Sequence, residues 1–478
     1  MIFPILLSFI ISSVIGYCVV SLIWPSRRSG ASDLIVRCSL AAGVGQGIAS
    51  CNFFLWLVVF GSPGRGSIVV EVVLLAILLL VLVYRVKRKR GSPPEAERDP
   101  GVASEGTSLK LKHGWLLTAA FYTSLVSTVA GIVIASLRFP NGWWDAWAIW
   151  NLRARGILRG GEHWRDSLSD LTLWAHPNYP LLLPTSVARG WVYTGAETAA
   201  VPAALSLLFT IGTVALLCSA LAELRSKWQG YVAGVVLLGY TTFTFYGGSQ
   251  IADPPLMFLF TATVILVAFK FERVGGGYGA LVLAGVTAGL SAWTKNEGLL
   301  FIVLVAVVQL IVVLPSEGAR AYLRQLLFFA AGLLPVLIIV LYFKTQLAPP
   351  SELVSAMQQR DTFSKLLDYH RYILIARKLK EDVVSYNVYG IGFIYLLLIY
   401  LVCVGATLRH KRSVIFTALL LHLMLTGYVW VYLTTPYDLA WHLDTSFSRL
   451  TLHLWPSFVF LFFLLVLTPE ETLRRKEA

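Results

Sequence analysis

Long apolar runs separated by short polar breaks recur along almost the whole chain. Runs near the ~20 residues needed to cross hydrocarbon fall at 2–24, 34–60, 67–84, 115–137, 198–222, 229–246, 255–271, 278–293, 298–314, 326–345, 390–408, 414–433 and 451–468. This pattern predicts an all-α integral membrane protein with about thirteen transmembrane helices. Two long polar excursions, 138–197 and 346–389, interrupt it, with shorter ones at 247–254, 294–297 and 434–450. The break at Thr294-Lys295-Asn296-Glu297-Gly298 divides a run long enough for two spans.

Charge tests the alternation. Arg27/Arg28, Arg85 to Arg90, Arg225/Lys227, Lys270/Arg273, Arg320/Arg324, Arg409 to Arg412 and Arg474 to Lys476 all fall on one side if the N-terminus lies outside. That is the positive-inside distribution. It places both long excursions on the outer face. The first run, Met1 to Trp24, has its basic residues after it rather than before it, so it reads as a retained span and not a cleaved signal. The organisation expected is three helices (1–84), a basic and flexible cytoplasmic linker (85–113), a second helical module (114–468) and a cytoplasmic tail (469–478).

Composition agrees. The 478 residues are 57% hydrophobic and only 14% charged, against about 25% charged in soluble domains, and mean hydropathy is +0.71. The net charge of +13 is spread over short loops, which fits membrane orientation and not nucleic-acid binding. Cys18, Cys38, Cys51, Cys218 and Cys403 lie inside apolar runs with no metal-type spacing.

The candidate chemistry gathers on the outer side. Asn141-Gly142-Trp143-Trp144-Asp145-Ala146-Trp147-Ala148-Ile149-Trp150 sets four tryptophans around one carboxylate. At about 100° per residue, Trp143, Trp147, Trp150, Ala154, Ile157 and Leu158 form one stripe, the pattern of a helix lying in the interface plane. On the plainer reading it is an aromatic anchor with a solvated Asp145. His176-Pro177-Asn178-Tyr179-Pro180-Leu181-Leu182-Leu183-Pro184 carries three prolines, which argues against regular helix until after Pro184 and suits either a groove wall or a packed loop. Asp253, before Pro254-Pro255, reads either as a helix N-cap or as a second carboxylate facing Asp145. Lys295 reads as an ion-pair partner of Glu297 or as a phosphate ligand. Arg449, on the outer side against the charge trend, matches phosphate geometry or snorkels to headgroups. Almost no ionisable residue lies near a helix centre, where a coupled transporter would place one.

In their order and sidedness these motifs resemble the GT-C superfamily of membrane glycosyltransferases, in particular bacterial relatives of dolichyl-phosphate-mannose protein mannosyltransferases. The resemblance rests on Trp144-Asp145, the His176 to Pro184 segment, Ala252-Asp253-Pro254-Pro255, Thr294 to Gly298 and the Arg449 region, and covers residues 114 to 468. It implies inverting transfer of a sugar from a polyprenyl-phosphate donor to a glycan, lipid or protein acceptor. Asp145 would be the base or a metal partner, with Asp253 beside it. Lys295 and Arg449 would hold the donor phosphate, and Trp144, His176, Tyr179 and Glu297 would contact substrate. A divalent metal at Asp145, Asp253 and His176 stays open on this reading. Two departures stand out: three helices precede the first outer loop, and Asp145 is flanked by Trp144 and Ala146 where many members pair two acids. The alternative from another class is a transporter or flippase of lipid-linked glycan precursors.

Overall fold

A computed structural model describes residues 2–25, 30–90, 114–275, 277–350, 362–385, 387–388 and 391–472. The linker residues 91–113, the basic pair Arg27/Arg28, the cluster Arg474 to Lys476 and part of the second long excursion (351–361) lie outside the described residues. The described residues are helical almost throughout. Among the described residues ten helices are long and apolar enough to cross a membrane, and Gly279–Thr294 and Ile394–Val404 are apolar but shorter. The chain is therefore a helical integral membrane protein.

The helices that matter for the site are α1 (Ile2–Ile23), α2 (Ala31–Phe60), α3 (Gly66–Arg90), α4 (Gly114–Arg138), α5 (Asn151–Gly160), α6 (Leu182–Thr194), α7 (Ala200–Leu224), α8 (Lys227–Leu238), α9 (Thr241–Gly247), α10 (Asp253–Phe271), α11 (Gly279–Thr294), α12 (Glu297–Glu317) and α13 (Ala319–Gln346). Beyond them come α14 (Thr362–Leu367), α15 (Tyr369–Ser385), α16 (Phe393–Val404), α17 (Lys411–Thr434) and α18 (Leu439–Leu465). Among the described residues the one strand pair joins Asn387–Val388 to Ile391–Gly392.

Three expectations are corrected. The run 229–246 is not one helix: it divides into α8 and α9 at Gly239 and Tyr240, with Tyr240 extended. Glycine followed by the β-branched pair Thr241-Thr242 is a poor helix interior, and hydropathy alone does not register it. Regular helix begins at Leu182, two residues before Pro184. The first N–H groups of a helix have no intrahelical acceptor, so a proline in the first turn costs no hydrogen bond. Finally, α3 runs on through the basic residues to Arg90, because Lys and Arg are good helix formers.

The first three helices are not a separate module. Helix α2 lies in the core against α1, α6, α7, α10 and α11. Its Phe53 and Phe54 are fully buried, and Phe54 meets the rings of Trp164, Trp293 and Phe343. Ser50 Oγ accepts from Trp293 Nε1 at 2.9 Å and shares a hydrogen bond with Thr185 Oγ1 at 2.7 Å. Helix α3 is tied in by a buried pair. Arg189 of α6 donates twice to the Glu71 carboxylate, at 2.6 and 2.7 Å, and once to the Ser8 carbonyl of α1 at 3.0 Å. The α1–α2 crossing is close enough that a Cβ on Gly16 would stand 1.9 Å from the Ala41 carbonyl, the small-residue packing that membrane helices use.

Candidate functional site

The loop after α4 is clamped onto the α9–α10 turn, and this brings Asp145 to Asp253. The Trp143 N–H donates to the Ser249 carbonyl at 3.2 Å, and Gln250 Nε2 donates to the Pro140 carbonyl at 3.2 Å. Asn151 Nδ2 donates to Gln250 Oε1 at 3.2 Å. A Cβ on Gly142, whose φ is +77°, would lie 2.7 Å from the Ser249 carbonyl, so only glycine admits this approach.

Residues Ala146–Trp150 form a π-helical turn before α5. The wider turn breaks the even rotation expected from Trp143. Trp150 is fully buried, whereas Trp143, Trp144 and Trp147 are 47%, 62% and 43% exposed. The predicted stripe is therefore split: Trp150, Ala154 and Ile157 pack into the protein, and the other rings face outward.

Asp145, Asp253, Lys295, Glu297 and Arg449 join in one ion network at a single end of the bundle. Arg449 Nη1 donates to Asp145 Oδ2 at 2.5 Å and its Nη2 to Asp253 Oδ2 at 2.9 Å. His453, one helical turn further along α18, sets Nε2 2.5 Å from Asp253 Oδ1. Lys295 Nζ lies 3.5 Å from Asp253 Oδ1 and 3.1 Å from Glu297 Oε1. Asp253 is fully buried, while the Asp145 side chain is 21% exposed. Asp253 is not an N-cap: Ala252 holds that position and Asp253 begins α10.

The break between α11 and α12 is a sharp turn with Lys295 extended. A Cβ on Gly298 would stand 2.3 Å from the Ala292 nitrogen, so the helices turn tightly and Lys295 is thrust toward Asp253. Burial opposes its ammonium charge, but Asp253 and Glu297 together hold its proton affinity above the ordinary lysine value.

The His176 to Tyr179 segment is carried by two cations not singled out from the sequence. Arg153 Nη1 donates to the Tyr179 carbonyl and Nη2 to the Ala175 carbonyl, both at 2.8 Å, and Nη2 also reaches the His176 carbonyl. Burial lowers the Arg153 guanidinium to about 10, still charged at neutral pH. Lys344 Nζ donates at 2.5 Å to both the Asn178 carbonyl and Asn296 Oδ1. Neither cation makes an ion pair among the described residues, and Glu297 acts on Lys344 at longer range. Tyr179 stacks between Trp150 and His176 at ring separations of 5.7 and 5.0 Å. Burial, assisted by Glu297, raises its phenol to about 12. The His176 ring thus lies on Tyr179, and Trp144 lies edge-on to Trp147.

Several buried polar atoms here lack a hydrogen-bond partner: Glu297 Oε2, Arg449 Nε, His453 Nδ1 and the Tyr428 hydroxyl. Buried polar groups are nearly always paired, so a site with this many open atoms is built to receive a polar ligand or water. The donor set does not suit a divalent metal. Asp253 is already held by Arg449, Lys295 and His453, His176 is turned to Tyr179, and among the described residues no group of three metal-type side chains converges. An apolar cavity of about 480 Å³, lined by residues including Thr128, Gly131, Phe139, Trp143 and Phe245, adjoins the start of the loop.

Lys344 escaped sequence reasoning because it sits within an apolar helix, where a lone basic residue resembles an anchor; His453 closes the Arg449 region but has no role assigned from the sequence. Arg153 stands among other arginines of the first outer loop, and nothing in the local sequence sets it apart. No match to a family model, to a curated protein or to a solved structure was found for the chain.

Proposed function

We propose that the chain is a membrane glycosyltransferase that moves a sugar from a polyprenyl-phosphate donor to an acceptor hydroxyl, with inversion, at the membrane face bearing Asp145. The observation that carries this reading is the network itself: a loop carboxylate and a buried helix-end carboxylate share the Arg449 guanidinium, with unpartnered polar atoms around them.

The donor phosphate would enter beside Arg449 and Lys295. Asp145, Asp253 and Glu297 exceed those two charges by one, and Arg153 and Lys344 turn the balance to one positive charge, which draws the anion in. Arg449 then exchanges Asp145 for phosphate, because guanidinium binds either with similar geometry. The freed Asp145 carboxylate takes the proton of the acceptor hydroxyl. The acceptor oxygen bonds to the anomeric carbon from the face opposite the phosphate. The carbon–oxygen bond to the phosphate breaks, and its electron pair leaves on polyprenyl phosphate. Since the leaving group is already ionised, no acid is required, and stabilising its charge is the main task. Trp144, His176, Tyr179 and Glu297 border the space for sugar and acceptor. In a bacterium this face would be the periplasmic side of the plasma membrane, with the basic loops inside.

A transporter or flippase of the same lipids would need charges that change partners across the membrane. The buried Glu71–Arg189 pair instead locks three helices together, which favours the enzyme. The test is to supply purified protein in nanodiscs with a panel of polyprenyl-phosphate sugars and envelope acceptors. The expected result is acceptor-dependent release of polyprenyl phosphate from one donor. Movement of donor between leaflets without release from any donor sinks the proposal.

A further inference from the structure

The end of the bundle away from Asp253 carries a second charged site. Lys270 lies 17 residues along α10 from Asp253, about 25 Å at the helical rise, which is close to the thickness of the hydrocarbon. There the end of α10, the end of α12, the start of α13 and the start of α17 enclose a polar cavity of about 210 Å³. Its lining is Lys270, Phe271, Arg273, Glu317, Gln325 and Arg412.

The carboxylates in and beside this cavity are already paired. Arg412 Nη1 donates to Glu317 Oε1 at 2.5 Å, and Glu272 accepts from Ser413 Oγ at 2.6 Å and faces His410 Nδ1 at 2.8 Å. Lys270 and Arg273 have no carboxylate partner among the described residues. Lys270 Nζ lies 3.9 Å from the centre of the Tyr278 ring and 3.3 Å from the Gly277 carbonyl. Arg273 adopts φ +57°, a conformation unfavourable for a side chain of its size. Gln325 is 2% exposed; its Nε2 donates to Glu317 Oε2 at 2.9 Å, while its Oε1 has no partner. The cavity therefore offers two uncompensated cations and one buried acceptor.

One turn deeper in the bundle the surface becomes apolar. Leu314, three residues before Glu317, is 41% exposed, and Ile415, three residues after Arg412, is 39% exposed. Residues three apart share a helix face, so greasy surface continues directly from the charged rim.

We propose that this cavity binds the headgroup of an anionic phospholipid: phosphate on Lys270 and Arg273, a headgroup hydroxyl on Gln325 Oε1, and acyl chains along Leu314 and Ile415. Basic pockets between membrane helices bind anionic headgroups in this way. A free phosphate ion shares the phosphate chemistry but has no use for the acceptor or the apolar surface. The proposal stands apart from the glycosyltransferase reading, since it uses none of the same residues.

The test is lipid retention by native mass spectrometry of detergent-purified protein offered phosphatidylglycerol or phosphatidylcholine. The wild type is expected to keep phosphatidylglycerol about thirtyfold better, as two charge contacts at roughly 1 kcal/mol each would give. Lys270→Gln/Arg273→Gln is expected to lose that preference, and the single Arg273→Gln, at an exposed position, to lose part of it with an unchanged melting temperature. Millimolar inorganic phosphate is expected not to displace the lipid. Equal retention of both lipids, equal retention by wild type and Arg273→Gln, or displacement by inorganic phosphate overturns it.

Discussion

Asp253 is the residue on which the charged site depends. It is fully buried and faces Arg449, Lys295 and His453 at once. Removing one member of a buried ion group leaves the others uncompensated, at a cost of about 3–5 kcal/mol. Asp253→Asn is expected to lower stability by that order, read as a large drop in thermal unfolding temperature in detergent; an unchanged melt contradicts the role given to it. Asp145 differs in kind. Its side chain is at the partly exposed edge, and its loss leaves Arg449 paired to Asp253. Asp145→Asn is therefore expected to fold normally, which separates a chemical role from a structural one.

At the scale of elements, the His176 to Tyr179 segment is the piece most dependent on a single distant side chain. Arg153 supplies three of its carbonyl contacts, and a hydrogen bond from a charged donor contributes about 1.5–3 kcal/mol. Arg153→Met is expected to raise hydrogen exchange across residues 175–181 by at least tenfold while α6 stays protected; unchanged exchange there would remove Arg153 as the support. Much of this site was legible in the chain. The positions of Asp145, Asp253, Lys295, Glu297 and Arg449 at polar breaks implied that they share one end of the bundle, and they do meet. What one dimension hid were details of rotation and long-range pairing. The π-helical turn at Ala146–Trp150 breaks the even rotation between the exposed tryptophans and α5, whose Arg153 is buried. The pairing of Arg189 with Glu71 spans 118 residues, and nothing in either local sequence marks it. The Gly239–Tyr240 break lies inside unbroken apolar composition, where hydropathy carries no signal.

At the scale of the whole molecule, α1 to α3 are part of the core and not an appendage. Phe54, Ser50 and the Glu71–Arg189 pair connect them to α6 and α11. Glu71→Gln leaves Arg189 with a single neutral oxygen where it had a carboxylate, and about 3–5 kcal/mol of stability is expected to be lost. Replacing both partners by apolar residues, Glu71→Leu/Arg189→Met, is expected to recover much of it; a double variant as unstable as the single one contradicts this account. The ion network is also a property of the whole, because the loop after α4, the start of α10, the α11–α12 turn and α18 each supply a group. The most direct measurement is the turnover of Asp145→Asn in nanodiscs, using whichever polyprenyl-phosphate sugar the wild type consumes. Loss of a general base lowers rate by about 10²–10⁴, so the account predicts at least a hundredfold fall with an unchanged melting temperature. Near-normal turnover by the folded variant would contradict it.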